Sequence, residues 1–118
     1  MNPVEGKRIL ILEDEVLLAI EAAETIEEIG GIVLGPVHRI DAALQLLENE
    51  RPDAALLDVN IHGHPSTPVA ERLAMDGIPF ILATGYGAQN QVTGSAAVID
   101  KPYNRRVVQS AVARMLSH

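Results

Sequence analysis

The chain has 118 residues, 47% of them apolar, with a formal charge of −7 and no cysteine. That length suits one domain with one good core, and the apolar share excludes a disordered chain. The negative charge argues against nucleic acid or an anionic membrane as partner, and the lack of cysteine excludes disulfides and thiolate metal sites. No apolar run approaches the roughly 18 residues of a membrane span, and Met1–Lys7 has no signal-peptide core. The expectation is a cytoplasmic protein, residues 1–118 forming a single domain with no effector domain attached.

In chain order, the run Arg8-Ile9-Leu10-Ile11-Leu12 predicts a first strand over Lys7–Leu12, ending in Glu13-Asp14-Glu15. A helix follows from about Glu15 to Ile29, with Ala19, Ala22, Ala23, Ile26 and Ile29 at helical spacing and Gly30 as its left-handed terminator. The second strand is Ile32–Val37, where Pro36 removes a ladder donor and so marks a sheet edge. Asp41 is placed to cap a second helix, Ala42 to Glu50, which Pro52 stops.

The third strand, Ala54–Asp58, is a continuous apolar run, as expected of a strand buried on both faces, and it delivers one carboxylate at its tip. A loop, Asn60-Ile61-His62-Gly63-His64-Pro65, comes next. The third helix spans Pro68–Asp76, with Val69 and Leu73 on one face and Gly77 and Pro79 ending it. The fourth strand is Pro79–Thr84. Gly85–Ser95 is rich in glycine and amides and allows at most a short, weak helix. The fifth strand is Ala96–Asp100, and after Lys101-Pro102 a last helix covers Asn104–Leu116.

Strands alternating with helices over connections this long imply right-handed crossovers, and hence a parallel sheet with helices on both faces. With the second strand at an edge, the pattern is a doubly wound, flavodoxin-like α/β fold of five strands in the order 2-1-3-4-5, with a short or disordered fourth helix. In such folds ligands bind beyond the carboxyl ends of the strands. Glu13-Asp14, Asp58, Thr84 and Lys101 all stand there, and are expected to share one site with Asp58 as its nucleophile.

The ordered set Glu13-Asp14, Asp58, Thr84 and Lys101-Pro102 resembles the receiver domain of two-component response regulators, over essentially the whole chain. Leu82-Ala83-Thr84-Gly85-Tyr86-Gly87 is also similar to a receiver subgroup written Phe-Ala-Thr-Gly, with Leu82 in place of its Phe. Receivers of that subgroup are often stand-alone domains served by histidine kinases of the HWE or a related type. The resemblance implies that Asp58 is the phosphoacceptor and that Glu13 and Asp14 hold Mg²⁺, Asp14 directly. It gives Asn60 a backbone carbonyl in the metal site, Thr84 a switch hydroxyl, Lys101 a contact to the phosphoryl group, and the Lys101-Pro102 bond a cis geometry. It further implies a sensor histidine kinase as donor, a downstream protein or phosphotransfer protein as target, and a monomer or weak homodimer.

Three features depart from the family pattern. Val98 stands where many receivers carry a rotating aromatic, the interval from Thr84 to Lys101 is short, and His62 replaces a common proline. Without an aromatic rotor, Gly85–Ser95 itself is expected to report phosphorylation by ordering, with Tyr86 at the rim setting water access together with Asn60, or simply packing.

The chemistry suits the residue types. Two carboxylates about 4 Å apart at an effective dielectric near 20 repel by about 4 kcal/mol, which a divalent cation relieves. An all-oxygen donor set suits Mg²⁺, and an ionised aspartate can attack phosphorus in line. A phosphorylation-independent pseudo-receiver is the alternative. A hydrolase with an aspartyl-phosphate intermediate is less suited, because Asn60 stands where its general acid would be. His62 and His64 are read as solvent-facing rather than as zinc ligands, and His38 and His118 as surface residues. Arg105, Arg106 and Arg114 are either a partner-facing patch or a solvated face.

Overall fold

The structure, a computed structural model, describes residues 2–85 and 94–117. Tyr86, His118 and most of the segment Gly85–Ser95, with the expected weak helix and its ordering, lie outside the described residues. In chain order the elements are β1 (Arg8–Leu12), α1 (Val16–Glu28), β2 (Ile32–Val37), α2 (Ile40–Asn49), β3 (Ala54–Asp58), the short β4 (Asn60–Ile61) and β5 (His64–Pro65), α3 (Thr67–Met75), β6 (Phe80–Thr84), β7 (Ala97–Asp100) and α4 (Arg105–Leu116). Five of the strands form a parallel sheet in the order β2-β1-β3-β6-β7, the expected 2-1-3-4-5 once β4 and β5 are set aside. Among the described residues, no helix is long and apolar enough to cross a membrane.

The continuous apolar runs have a direct explanation in side-chain alternation. Leu10, Leu12, Ala55, Leu57, Phe80 and Leu82 enter one core layer, under α2 and α3, with Ala43, Leu47, Val69 and Leu73. Ile9, Ile11, Ala54, Leu56, Ile81 and Ala83 enter the other, under α1 and α4, with Ala22, Ile26, Val108 and Val112. Apart from Arg8, Asp58 and Thr84 at their ends, the three central strands are therefore continuously apolar because both faces are covered. β7 lies at the edge and is only half covered, with Val98 50% exposed beside the buried Ile99. β2 is the other edge, and its pairing with β1 shifts register between Leu10 and Leu12, around Pro36.

Two helices close on the same device. The Gly30 N–H donates to the Glu27 carbonyl and Gly31 N–H to Ile26, while after α3 Gly77 N–H donates to Ala74 and Ile78 N–H to Leu73. Both glycines have positive φ, +91° and +71°, which this double-bonded helix end requires.

Two expectations need correction. Asp41 is not the cap of α2: the helix starts at Ile40, whose side chain packs on the core, and Asp41 sits inside the first turn with its Oδ1 accepting from Ala42 N–H. The loop after Asp58 is a hairpin, Asn60 pairing with Pro65 and Ile61 with His64. His62 (φ +51°) and Gly63 (φ +84°) supply the two left-handed residues of its turn. Arg105, half-exposed, ion-pairs with Glu21, Glu24 and Glu28 and so ties α4 to α1.

Phe80 is 1% exposed at the centre of the α2/α3 layer. Phe80→Ala is expected to lower stability by about 3–5 kcal/mol, read as a fall in the urea midpoint at unchanged slope.

Candidate functional site

Side-chain alternation also selects which strand-end groups can meet. Asp58 follows Ala54 and Leu56 in the α1/α4 layer, and Glu13 continues Ile9 and Ile11 in the same layer one step beyond β1. Lys101 stands two residues past Ile99, again on that side. Their side chains converge. Lys101 Nζ donates to Asp58 Oδ2 at 2.8 Å and to Glu13 Oε2 at 3.0 Å, and lies 3.5 Å from Glu15 Oε1. Oxygens of Glu13, Asp14 and Asp58 all lie within 4.8 Å of one another.

Asp58 is 4% exposed and Glu13 1%. Such burial is tolerable for charged groups only where each is paired. Asp58 Oδ1 accepts from the Asn60 N–H at 3.2 Å, so both of its oxygens are held. The contact observed for Asn60 is thus through its N–H. Asp14 is more open, at 20% side-chain exposure, and its Oδ2 accepts from the His62 N–H at 2.9 Å. The left-handed His62 aims that N–H at the acid. Its ring Nδ1 stands 4.0 Å from the same oxygen, while 58% of the side chain faces solvent.

The protonation tendencies follow these surroundings. Burial pushes Glu13 up to about 7, with the charge of Asp58 adding to it against the Glu15 N–H and Lys101. Burial likewise raises Asp58, although Lys101 opposes the shift. Asp14 loses some hydration too, yet the His62 N–H and neighbouring donors hold it below the ordinary aspartate range. Lys101 loses hydration and is nevertheless raised, because Asp58 and Glu13 bind its ammonium form. With all three acids ionised, one ammonium faces three carboxylates. The remaining negative charge and the hard oxygen donors fit a divalent cation of the Mg²⁺ kind.

Thr84 stands at the same sheet edge but on the opposite alternation, in step with Leu82. In register it pairs with Asp100, and its hydroxyl donates to Asp100 Oδ1 at 3.4 Å. Glu13, Asp14, Asp58 and Lys101 are therefore brought together as expected, while Thr84 is turned aside. The Lys101-Pro102 bond is cis, as the resemblance implied.

Two residues escaped the sequence reading. The Tyr103 hydroxyl donates to Glu13 Oε1 at 3.3 Å, and burial beside Glu13 raises its pKa, so the phenol remains a donor. His38, expected at the surface, is half-buried, and its Nδ1 donates to the Glu13 carbonyl at 2.9 Å. Neither lies in a recognisable motif. The one hint was the position of Tyr103 directly after Lys101-Pro102.

No family model matches the chain. It is 28% identical over 104 residues to the transcriptional regulatory protein PdtaR of Mycobacterium tuberculosis, covering 83% of this chain and 51% of that protein. The chain thus spans about half the length of the curated relatives it matches. SdrG from Sphingomonas melonis Fr1, a solution structure, is 38% identical, with 98% of this chain and 99% of that one covered at a TM-score of 0.79. A CheY-like response regulator receiver domain protein from Methanospirillum hungatei JF-1 is 28% identical, with 96% and 95% covered at a TM-score of 0.85. With a relative this similar along nearly its full length, and a receiver domain matching so closely in fold, the chain belongs to the receiver domains of response regulators.

Proposed function

We propose that this chain accepts a phosphoryl group on Asp58 from the phosphohistidine of a sensor histidine kinase, with Mg²⁺ held at the acids, and signals through altered protein binding. The reading takes residues 1–118 as one receiver. The observation that carries it is the position of Asp58, 2.8 Å from the Lys101 ammonium and within 4.8 Å of Glu13 and Asp14 oxygens. Leu82-Ala83-Thr84-Gly85 supports a place in the Phe-Ala-Thr-Gly subgroup, and with it a kinase of the HWE or a related type.

An Asp58 oxygen forms the new P–O bond as the donor's P–N bond breaks and its electron pair returns to the imidazole. Lys101 has to loosen its bond to Asp58 Oδ2 and follow the charge onto the incoming phosphoryl oxygens. Asp14, the most open of the three acids, together with Glu13, Asp58 and the Asn60 carbonyl would hold Mg²⁺, which would supply charge neutralisation for the transferring phosphoryl group. Thr84 exchanges Asp100 for a phosphoryl oxygen, and that exchange carries the signal along the sheet edge toward Gly85–Ser95. At the start of α1, next in sequence to the acids, Val16, Leu17 and Ile20 are 55%, 81% and 46% exposed.

The direct test is incubation with acetyl phosphate and Mg²⁺ followed by intact mass. Wild type is expected to gain one phosphoryl group and Asp58→Asn none; no adduct from acetyl phosphate or a cognate kinase leaves the pseudo-receiver reading in its place.

Stability should respond to pH in a stated direction. Between 4.5 and about 7 the unfolded chain has lost the Glu13 proton that the folded chain keeps, so stability present at acid pH is lost as pH rises through that window. The raised Asp58 acts in the same sense, whereas Asp14 acts below its ordinary 3.8. In EDTA, the melting midpoint is expected to fall as pH is raised across this window, and saturating Mg²⁺ to oppose the fall. A midpoint that climbs in EDTA would contradict the buried-acid account.

A further inference from the structure

We infer that Tyr103 is a positioning residue for the metal-binding acids, holding the Glu13 carboxylate in the orientation in which it serves Mg²⁺. The inference rests on the metal-binding reading above and deepens it.

Glu13 has two oxygens and both are committed. Oε2 accepts from Lys101 Nζ at 3.0 Å and from the Glu15 N–H at 3.1 Å, while Oε1 accepts from the Tyr103 hydroxyl at 3.3 Å. Among the described residues Tyr103 is the one donor to Oε1, and Glu13 is buried at 1% exposure. Without the phenol, that buried oxygen has no partner and the carboxylate turns about its last bond to find one. An outer partner that fixes an acid in this way is a determinant of metal affinity.

Tyr103 is itself well anchored. Two residues before it the Lys101 N–H donates to the Thr84 carbonyl at 2.8 Å, and directly after it the Asn104 side chain accepts from Val107 N–H at 2.9 Å, capping α4. Its ring packs on the α1/α4 core layer. The hydroxyl is thus presented from a fixed point between β7 and α4, as a positioning group requires.

The test is isothermal titration of the whole chain with MgCl₂, without phosphodonor. Tyr103→Phe keeps the ring and removes only the hydroxyl, and is expected to weaken Mg²⁺ binding by about tenfold. In a Glu13→Ala background the same change is expected to have no further effect, because the role runs through Glu13. If Tyr103→Phe binds like wild type while Tyr103→Leu is weaker, the residue only packs and the inference is wrong. Equal losses with and without Glu13 also overturn it. If wild type binds no Mg²⁺, the metal-binding reading fails and this inference with it, whereas intact wild-type binding with an unaffected Phe variant sinks this inference alone.

Discussion

One ammonium facing three carboxylates sets the terms at the carboxyl edge of this sheet. Lys101 reaches Asp58 and Glu13 together, at 2.8 and 3.0 Å, and without it two buried acids would stand unpaired against each other. Lys101 does not balance all three, and the excess negative charge on hard oxygen donors fits a divalent cation. The same pairing holds the Asp58 oxygen that the proposed transfer would use. In the proposed phosphoryl transfer, Lys101 would pass from carboxylate to phosphoryl, a move between two anionic partners rather than into open solvent.

That geometry is possible because the sheet is covered on both faces. Each central strand feeds alternate side chains into two separate core layers, so its rotation about its own axis is fixed by packing on both sides. A strand fixed in this way presents its terminal residue with little freedom. Asp58 inherits its direction from Ala54 and Leu56, and Glu13 from Ile9 and Ile11. Thr84 inherits the other direction from Phe80 and Leu82, and its hydroxyl consequently bonds across to Asp100. The acid cluster is built on strands packed on both faces, while Thr84 stands beside the half-covered edge strand β7.

The relation between α1 and α4 adds a second level. Arg105 binds Glu21, Glu24 and Glu28 across the two helices, and Tyr103 reaches Glu13 from the turn that leads into α4. The acids at the start of α1 are thus framed by the beginning of the last helix, far away in sequence. The hairpin after Asp58 frames them from the other side through the His62 N–H on Asp14. His38 completes the frame from beneath by bonding the Glu13 carbonyl.

Strand order, the buried central strands and the set Glu13, Asp14, Asp58 and Lys101 could be read from the chain because each leaves a local mark: an unbroken apolar run, a proline in an edge strand, a charged residue where such a run stops. Asp41 is not the cap and the loop after Asp58 is a hairpin because local propensity gives way to packing and to backbone pairing. By itself the sequence determined which groups arrive at the sheet edge, since strand ends are written in hydrophobic pattern. Only the tertiary structure decided which of them face one another, because that depends on strand alternation across paired neighbours and on contacts, such as that of Tyr103 with Glu13, between residues 90 positions apart that no local pattern encodes.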